Sequence, residues 1–354
     1  MSPQSHGIAP VAVDAMGGDH APAAPVHGAV AAARAGQAVI LVGPEGRVRE
    51  ELQRQRAPWR LPIRVHHAAE VVEMGEHPGQ AMRRKRDNSI RVAFELVRAG
   101  EASAMVSAGN SGAVMAGAIL VLGRLGAVER PAFAQVLPAV KGRPLLLDMG
   151  ANAECKPIHL VQFALMGEVW SRRVVGVHRP RVAILANGEE ASKGTELTRR
   201  AAAALEHAPL RFAGYCEGRD LLTGAFDVVV TDGFTGNVAL KTMEGTARAV
   251  RQLVKQALRS TLPSKIGALF AKKALDEVKR RVDWREVGGA PLMGVAGVGV
   301  VSHGASDALA IENAVARARD AARAACTEEM AEAAARAPDL LAGPPARRRR
   351  ALEA

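Results

Sequence analysis

The chain has 354 residues, 48% of them hydrophobic, enough to bury a large core between one big α/β domain and two smaller ones. No apolar run reaches the ~18 residues of a membrane span, and MSPQSHGIAP has no charged-then-apolar signal pattern, so a cytosolic protein is expected. The formal charge of +11 points to an anionic partner, while 3% aromatic residues leave little to stack on bases and disfavour nucleic acid.

In chain order, short β-branched runs alternate with alanine-rich helical stretches. VAVDAM predicts a strand, PVHGAVAAARAG a helix and AVILVG a second strand. SAMVSAG, PLLLDMG, RVAILANG and FDVVVTDG repeat the strand pattern further on. The alternation predicts parallel βαβ units with helices on both faces of the sheet. Five of the strands end in small or acidic polar residues: Asp14, Ser107 to Asn110, Asp148 to Asn152, Asn187 to Glu190, and Asp232 to Asn237. Ligands of open α/β sheets lie at the carboxyl ends of the strands, so these tips are expected to converge.

The tips carry the candidate chemistry. In VDAMGGDHAP the adjacent Gly17 and Gly18 match neither the P-loop nor the dinucleotide fingerprint. Asp14, Asp19 and His20 there suit a metal, general acid–base work or the ordering of a turn; metal is least favoured, because His66 and His67 on one strand face opposite sides. MRRKRDNSI sets Arg83, Arg84, Lys85 and Arg86 before a helix capped by Asp87 or Asn88, as a solvated face or a reach over a cleft. SAGNSGA opens a helix with Asn110, Ser111 and Gly112, which reads equally as an anion-binding mouth or as ordinary capping. FTGNVALK repeats the pattern with Thr235, Gly236 and Asn237, and two such mouths favour an anion. Lys193, in NGEEASKGTE at the start of another helix, meets an unfavourable dipole that an anion would offset. Cys155, Cys216 and Cys326 are odd in number and far apart, which argues for reduced thiols and against structural zinc.

Two segments break the rhythm. From Thr235 to about Arg281 the chain reads as long helix, interrupted at Leu262-Pro263-Ser264, where Pro263 can start a second helix. Between Arg248 and Arg281 it holds ten Lys or Arg against two acids. Leu262, Ile266, Leu269 and Phe270 beside Lys272 and Lys273 suit an anionic bilayer or an acidic carrier protein, with a buried or dimer-forming helix pair as the plainer reading. Residues 326–354, rich in Ala, Glu, Pro and Arg, are expected to be a disordered basic tail.

VDAMGGDHAP, MRRKRDNSI, SAGNSGA, LLLDMGAN, HLVQFALMG, the NGEE and KGTE pieces, DGFTGNVALK and GGAPLMGVAGVGVVSHGAS occur in this order. Together, over about Val11 to Ala325, they closely resemble the bacterial phosphate acyltransferase family PlsX. The resemblance implies a single open Rossmann-like αβα body over 11–325, similar to phosphate acetyltransferases and isocitrate dehydrogenases, with a protruding helical excursion at about 235–285. It implies transfer of a long-chain acyl group from acyl carrier protein to inorganic phosphate, giving acyl phosphate for phospholipid synthesis. It also implies a homodimer attached peripherally to the inner face of the cell membrane, with a membrane glycerol-3-phosphate acyltransferase as a partner.

Phosphate attack on a thioester needs two anions brought together and a polarised carbonyl, and requires no metal or organic cofactor. Lys193, Asn237, Asp14 and His20 are the expected catalytic residues. Gly17, Gly18, Asp19, Asn110, Ser111, Gly112, Asn152, Thr235 and Gly236 are the expected phosphate and substrate contacts. Ser111 replaces a frequent Thr, and Thr195 a common Asn, which leaves the role of Thr195 open. The rivals are a short-chain transferase using coenzyme A, a decarboxylating dehydrogenase of related fold and a non-catalytic carrier- or membrane-binding scaffold.

Overall fold

Strands form where the sequence offers short runs of β-branched and small apolar residues. Val11–Asp14 (β1), Val39–Gly43 (β2) and Ala104–Ser107 (β4) are buried along their whole length, as continuous apolar runs covered on both faces require. In the computed structural model, which describes residues 8–281 and 283–343, the remaining strands are Ile63–His67 (β3), Ala132–Val136 (β5), Leu145–Leu147 (β6), Arg181–Leu185 (β7), Arg211–Cys216 (β8), Val228–Val230 (β9), Ala290–Met293 (β10) and Gly299–Val301 (β11). The helices are Ala23–Arg34 (α1), Glu45–Arg54 (α2), Pro78–Arg84 (α3), Ser89–Arg98 (α4), Ser111–Val121 (α5), Pro157–Trp170 (α6), Glu196–Leu205 (α7), Gly233–Arg259 (α8), Leu262–Arg281 (α9), Ala308–Ala324 (α10), Thr327–Ala334 (α11) and Ala337–Ala342 (α12).

All the strands join one sheet in the order β3-β2-β1-β4-β11-β10-β5-β6-β9-β7-β8. Alternate residues of each strand face opposite helical layers. Val11 and Val13 pack with Val26 of α1 and Ile311 of α10, whereas Ala12 joins Phe94 of α4 and Val114 of α5. Beyond the centre, Leu145 and Leu147 meet Phe163 of α6, while Leu146 meets Leu240 of α8. The expected αβα layering is therefore present.

The sheet is not parallel throughout, and this changes where the polar tips lie. β3, β2, β1, β4 and β11 run parallel, as do β6, β9, β7 and β8. The pairings β11 with β10, β10 with β5 and β5 with β6 are antiparallel. Three reversals leave the second parallel block running in the opposite sense to the first. The tips of β1 and β4 thus form one group and those of β6, β9 and β7 another, in place of the single convergence expected from one parallel sheet. Met149 and Ala151, on the loop after β6, pack against the apolar cluster that holds Met82, Ile90 and Val114, so this loop abuts the helical layer of the first block.

α8 and α9 form the expected excursion. Their break lies at Ser260–Thr261, and Pro263 occupies the second position of α9, where its missing N–H costs nothing. The Thr261 hydroxyl caps the new helix by accepting from the Ser264 N–H at 3.2 Å. No described residue of α9 is buried, and in α8 only Gly233 and Gly236 are.

The expected disordered tail needs correction. Residues 327–342 form α11 and α12, and Met330, Ala334 and Ala337 are buried in the cluster around Phe163, Met166 and Trp170 of α6. Arg172 clamps α11 by pairing with Glu329 at 2.6 Å while holding Glu168 at 3.1 Å. Alanine-rich sequence looked unable to bury enough surface, but small side chains allow close helix packing. The run Arg347 to Arg350 lies outside the described residues.

Candidate active site

The first group of tips is built on Asp14. This carboxylate is buried at the end of β1, where Oδ2 accepts from the Ser107 hydroxyl at 2.7 Å and Oδ1 from the Met16 N–H at 3.0 Å. Burial raises its pKa above the ordinary value, with the hydrogen bonds from Ser107 and the backbone opposing the rise. Ser107 Oγ in turn accepts from the Gly109 N–H at 3.0 Å, which ties the loop after β4 to the loop after β1. Two glycines make that approach possible. A Cβ on Gly17 would lie 2.5 Å from Asp14 Oδ2 and 2.6 Å from the Gly109 nitrogen, and Gly18 adopts φ +98°, which side chains rarely tolerate. Asp19 and His20 follow, both exposed, and the Asp19 N–H donates to the Gly304 carbonyl at 2.8 Å.

The β4–α5 loop is more committed to the fold than its sequence suggested. Asn110 caps α5 by accepting from the Ala113 N–H at 3.1 Å, and its Nδ2 donates to the carbonyls of Met74 and Glu76 at 3.0 and 3.1 Å. Gly112 admits Pro78 of α3, whose Cγ would be 2.6 Å from an added Cβ. Ser111 alone of the three presents an exposed side chain. In the neighbouring basic run, Asn88 caps α4 at 2.9 Å, and Lys85 pairs with Glu76 while donating to the Val71 carbonyl at 2.6 Å. Arg83, Arg84 and Arg86 face solvent.

The second group is built on Asp148, expected from sequence as a polar strand tip but given no role of its own. Its Oδ1 accepts from the N–H groups of Phe133, Gly150 and Ala151 at 3.2, 3.1 and 3.0 Å. Its Oδ2 accepts from the N–H and the Nδ2 of Asn152 at 2.7 and 2.9 Å. Burial still pushes this carboxyl above its ordinary range. Asn152 also donates to the Pro131 carbonyl at 2.8 Å, so its amide braces the frame. The Asn152 carbonyl accepts from the Gly233 N–H at 2.8 Å, which seats the first turn of α8 on this loop.

Asp232 caps α8 by accepting from the Thr235 N–H and hydroxyl, both at 2.8 Å. Gly236 is where the two backbones meet, because a Cβ there would stand 1.9 Å from the Asp148 carbonyl oxygen. Asn237 is exposed, with its Cγ 3.7 Å from the Cβ position of Gly150. Cys155 borders the same loop with Sγ 3.6 Å from the Asn152 carbonyl, and burial followed by the Asp148 charge pushes its thiol up to about 12.

Lys193 occupies the loop after β7, the parallel neighbour of β9, so it leaves the sheet beside the mouth of α8. Its side chain is exposed, and its stem lies against Gly188, where a Cβ would be 2.7 Å from Lys193 Cγ. Thr195 gains a role here as the cap of α7, accepting from the Thr198 N–H at 3.3 Å. Leu262, Ile266, Leu269, Phe270, Lys272 and Lys273 all sit exposed on α9, apart from both groups. Ser107 and Asp148 are expected from sequence only as polar strand ends, and Gly304 is not singled out there; each acts here through burial or backbone, which residue type does not announce.

Residues 9–329 match the model of a family described as Fatty acid synthesis protein. A phosphate acyltransferase of Anaeromyxobacter sp. (strain Fw109-5) is 73% identical over 336 residues, covering 95% of this chain and 94% of that one. The chain belongs to the phosphate acyltransferase family. A second member, from Myxococcus xanthus (strain DK1622), is 56% identical over 92% of the chain and 93% of its own length. As a phosphate acyltransferase family member the chain is an acyltransferase, and the first-block and second-block tips are its candidate active site. A phosphotransacetylase of Staphylococcus aureus shares the fold with a TM-score of 0.58 at 16% identity, covering 89% of this chain and 94% of that one.

Proposed function

We propose that the chain transfers a long-chain acyl group from an acyl-carrier-protein thioester to inorganic phosphate, for phospholipid synthesis. The observation that supports this best is that β7 and β9 are parallel neighbours, followed respectively by the loop with exposed Lys193 and by the first turn of α8 with exposed Thr235 and Asn237. A phosphate oxygen attacks the thioester carbonyl carbon, the C–S bond breaks, and the carrier thiolate leaves and takes a proton. Lys193 Nζ offsets the charge of the phosphate, and the Asn237 amide donates to the oxyanion that develops on the carbonyl. The α8 N-terminus adds its dipole. On this reading the loop of Asp14, Gly17, Gly18, Asp19 and His20 supplies the other side of the site, with Ser107 holding Asp14 and the exposed His20 ordering substrate.

The exposed apolar side chains of α9 beside Lys272 and Lys273 support peripheral attachment to the cytoplasmic face of an anionic membrane. Such attachment places the product near a membrane glycerol-3-phosphate acyltransferase, and the long α8–α9 hairpin suits a homodimer. Thioester loss is followed with and without phosphate, on acyl carrier protein and on acyl coenzyme A. Loss that requires phosphate and prefers the carrier is the expected result. Loss without phosphate refutes the reading, and preference for short acyl coenzyme A assigns the rival transferase.

A further inference from the structure

The hairpin returns to the body through a short strap, Asp283 to Val287, that the proposed chemistry leaves unused. Arg285 is its hub. Its Nε donates to both carboxylate oxygens of Asp283 at 2.9 and 3.0 Å, and its Nη1 donates to Asp307 Oδ2 at 2.8 Å. The Arg285 carbonyl accepts from Asn313 Nδ2 at 2.9 Å, and the Val287 carbonyl accepts from Arg317 Nη2 at 3.3 Å. α10 therefore grips the strap at three points along its first turns.

Asp307 has a second duty. Its Oδ1 caps α10 by accepting from the Ala310 N–H at 3.1 Å, and it closes the turn that follows β11. Within that turn the Ser302 and Ser306 hydroxyls lie 2.8 Å apart, and the Ala305 N–H donates to His303 Nδ1 at 3.1 Å. Gly304, between them, turns its carbonyl onto the opening glycine loop. That oxygen accepts from the Asp19 N–H at 2.8 Å and would stand 2.9 Å from a Cβ on Gly18. One guanidinium thus joins the exit of the hairpin to the loop that carries Gly18 and Asp19. A lysine keeps the charge but not the fork, which grips Asp283 through Nε while reaching Asp307 through Nη1.

We propose that Arg285 is a positioning residue for the loop that carries Gly18 and Asp19, two of the expected phosphate and substrate contacts. It fixes the Ser302 to Asp307 turn so that Gly304 holds the backbone at Gly18 and Asp19, and it passes any displacement of the hairpin to that loop. The kinetic part of its test rests on the proposed transfer to phosphate; the structural part does not.

Arg285→Ala and Asp307→Asn separate the roles, since an asparagine still caps α10 but loses the ionic partner. Amide hydrogen exchange on the full chain is expected to quicken about tenfold at Asp19 in both variants, with residues 11–13 unchanged. The Michaelis constant for phosphate is expected to rise about fivefold while kcat at saturation holds within about twofold, and Arg285→Lys recovers part of the loss. Unchanged exchange at Asp19 in folded Arg285→Ala protein overturns the proposal, as does faster exchange spread evenly through the body. If Arg285→Ala does not fold, Asp307→Asn carries both readouts. Faster exchange at Asp19 in a protein that shows no phosphate-dependent turnover sustains the link and defeats the acyl-transfer reading.

Discussion

Gly236→Ala tests how closely the α8 mouth must sit on the Asp148 loop. The added Cβ would lie 1.9 Å from the Asp148 carbonyl oxygen and 2.9 Å from Thr231 Cγ2, where real Cβ atoms keep 3.0 Å or more. Neither neighbour is a flexible side-chain end, so the helix and the loop must part by about 1.1 Å in a close-packed region. Overpacking of this kind costs about 1–3 kcal/mol of stability. The larger effect falls on catalysis, because Asn237 is the next residue and a shift of about 1 Å at a positioned group costs roughly a hundredfold in rate. Gly245→Ala, in the same helix with nothing within 4 Å of the new Cβ, is the control. It is expected to gain up to about 1 kcal/mol and to turn over normally. Phosphate-dependent thioester loss and urea denaturation are measured on both proteins. A Gly236→Ala enzyme within about threefold of wild-type kcat would refute the requirement for close seating and remove Asn237 from the transition state.

Lys193→Ala is expected to lower kcat about a hundredfold. Because the side chain is exposed, its unfolding free energy should change by less than about 0.5 kcal/mol, and a large stability loss would make the lysine structural. Burial raises the Asp14 carboxyl above 3.8, so the stability it contributes is complete below 3.8 and is lost as pH rises through its folded value. Asp14→Asn keeps an acceptor for the Met16 N–H and should flatten that decline in denaturation midpoints, with Asp148 retaining the rest; an unchanged slope would place the pH dependence elsewhere. Leu269 and Phe270 are 71% and 85% exposed, so the Leu269→Glu, Phe270→Glu double variant should fold normally and lose co-sedimentation with anionic vesicles. Unchanged vesicle binding would instead assign the hairpin to a helix–helix interface.

The layered fold was legible because the central strands are compact apolar runs and some helices carry clear start signals, as at Pro263 and Asn88, whereas β3 (IRVHH) and β8 are partly exposed and mixed in character. The sense of the strands was not. β5 and β10 pair antiparallel with both of their neighbours, and nothing in a short, largely apolar run states its direction, so only the pairing partners reveal that the sheet reverses. The same limit governed the site. Lys193, Thr235 and Asn237 stand exposed where the pattern put them, but Asn110 and Asn152 proved to be braces, since an amide beside a glycine reads alike whether it meets a ligand or a carbonyl. Asp148 reads as one polar tip among five because an acid that ends an apolar run looks alike in sequence until its five donors are seen.

If the proposed transfer holds, Cys155 sits where a site that handles thioesters has most to lose from a free thiol. A thiolate beside the α8 mouth would compete with phosphate for the acyl carbon and strand the chain on the protein as an acyl-cysteine. Burial and the flanking Asp148 and Asp232 carboxylates push this thiol up to about 12. At neutral pH the sulfur anion, the form that attacks, is therefore scarce. Burial above all, with the carboxylates that seat the helix adding to it, keeps this sulfur as a thiol and should make the protein indifferent to thiol-alkylating reagents at this position.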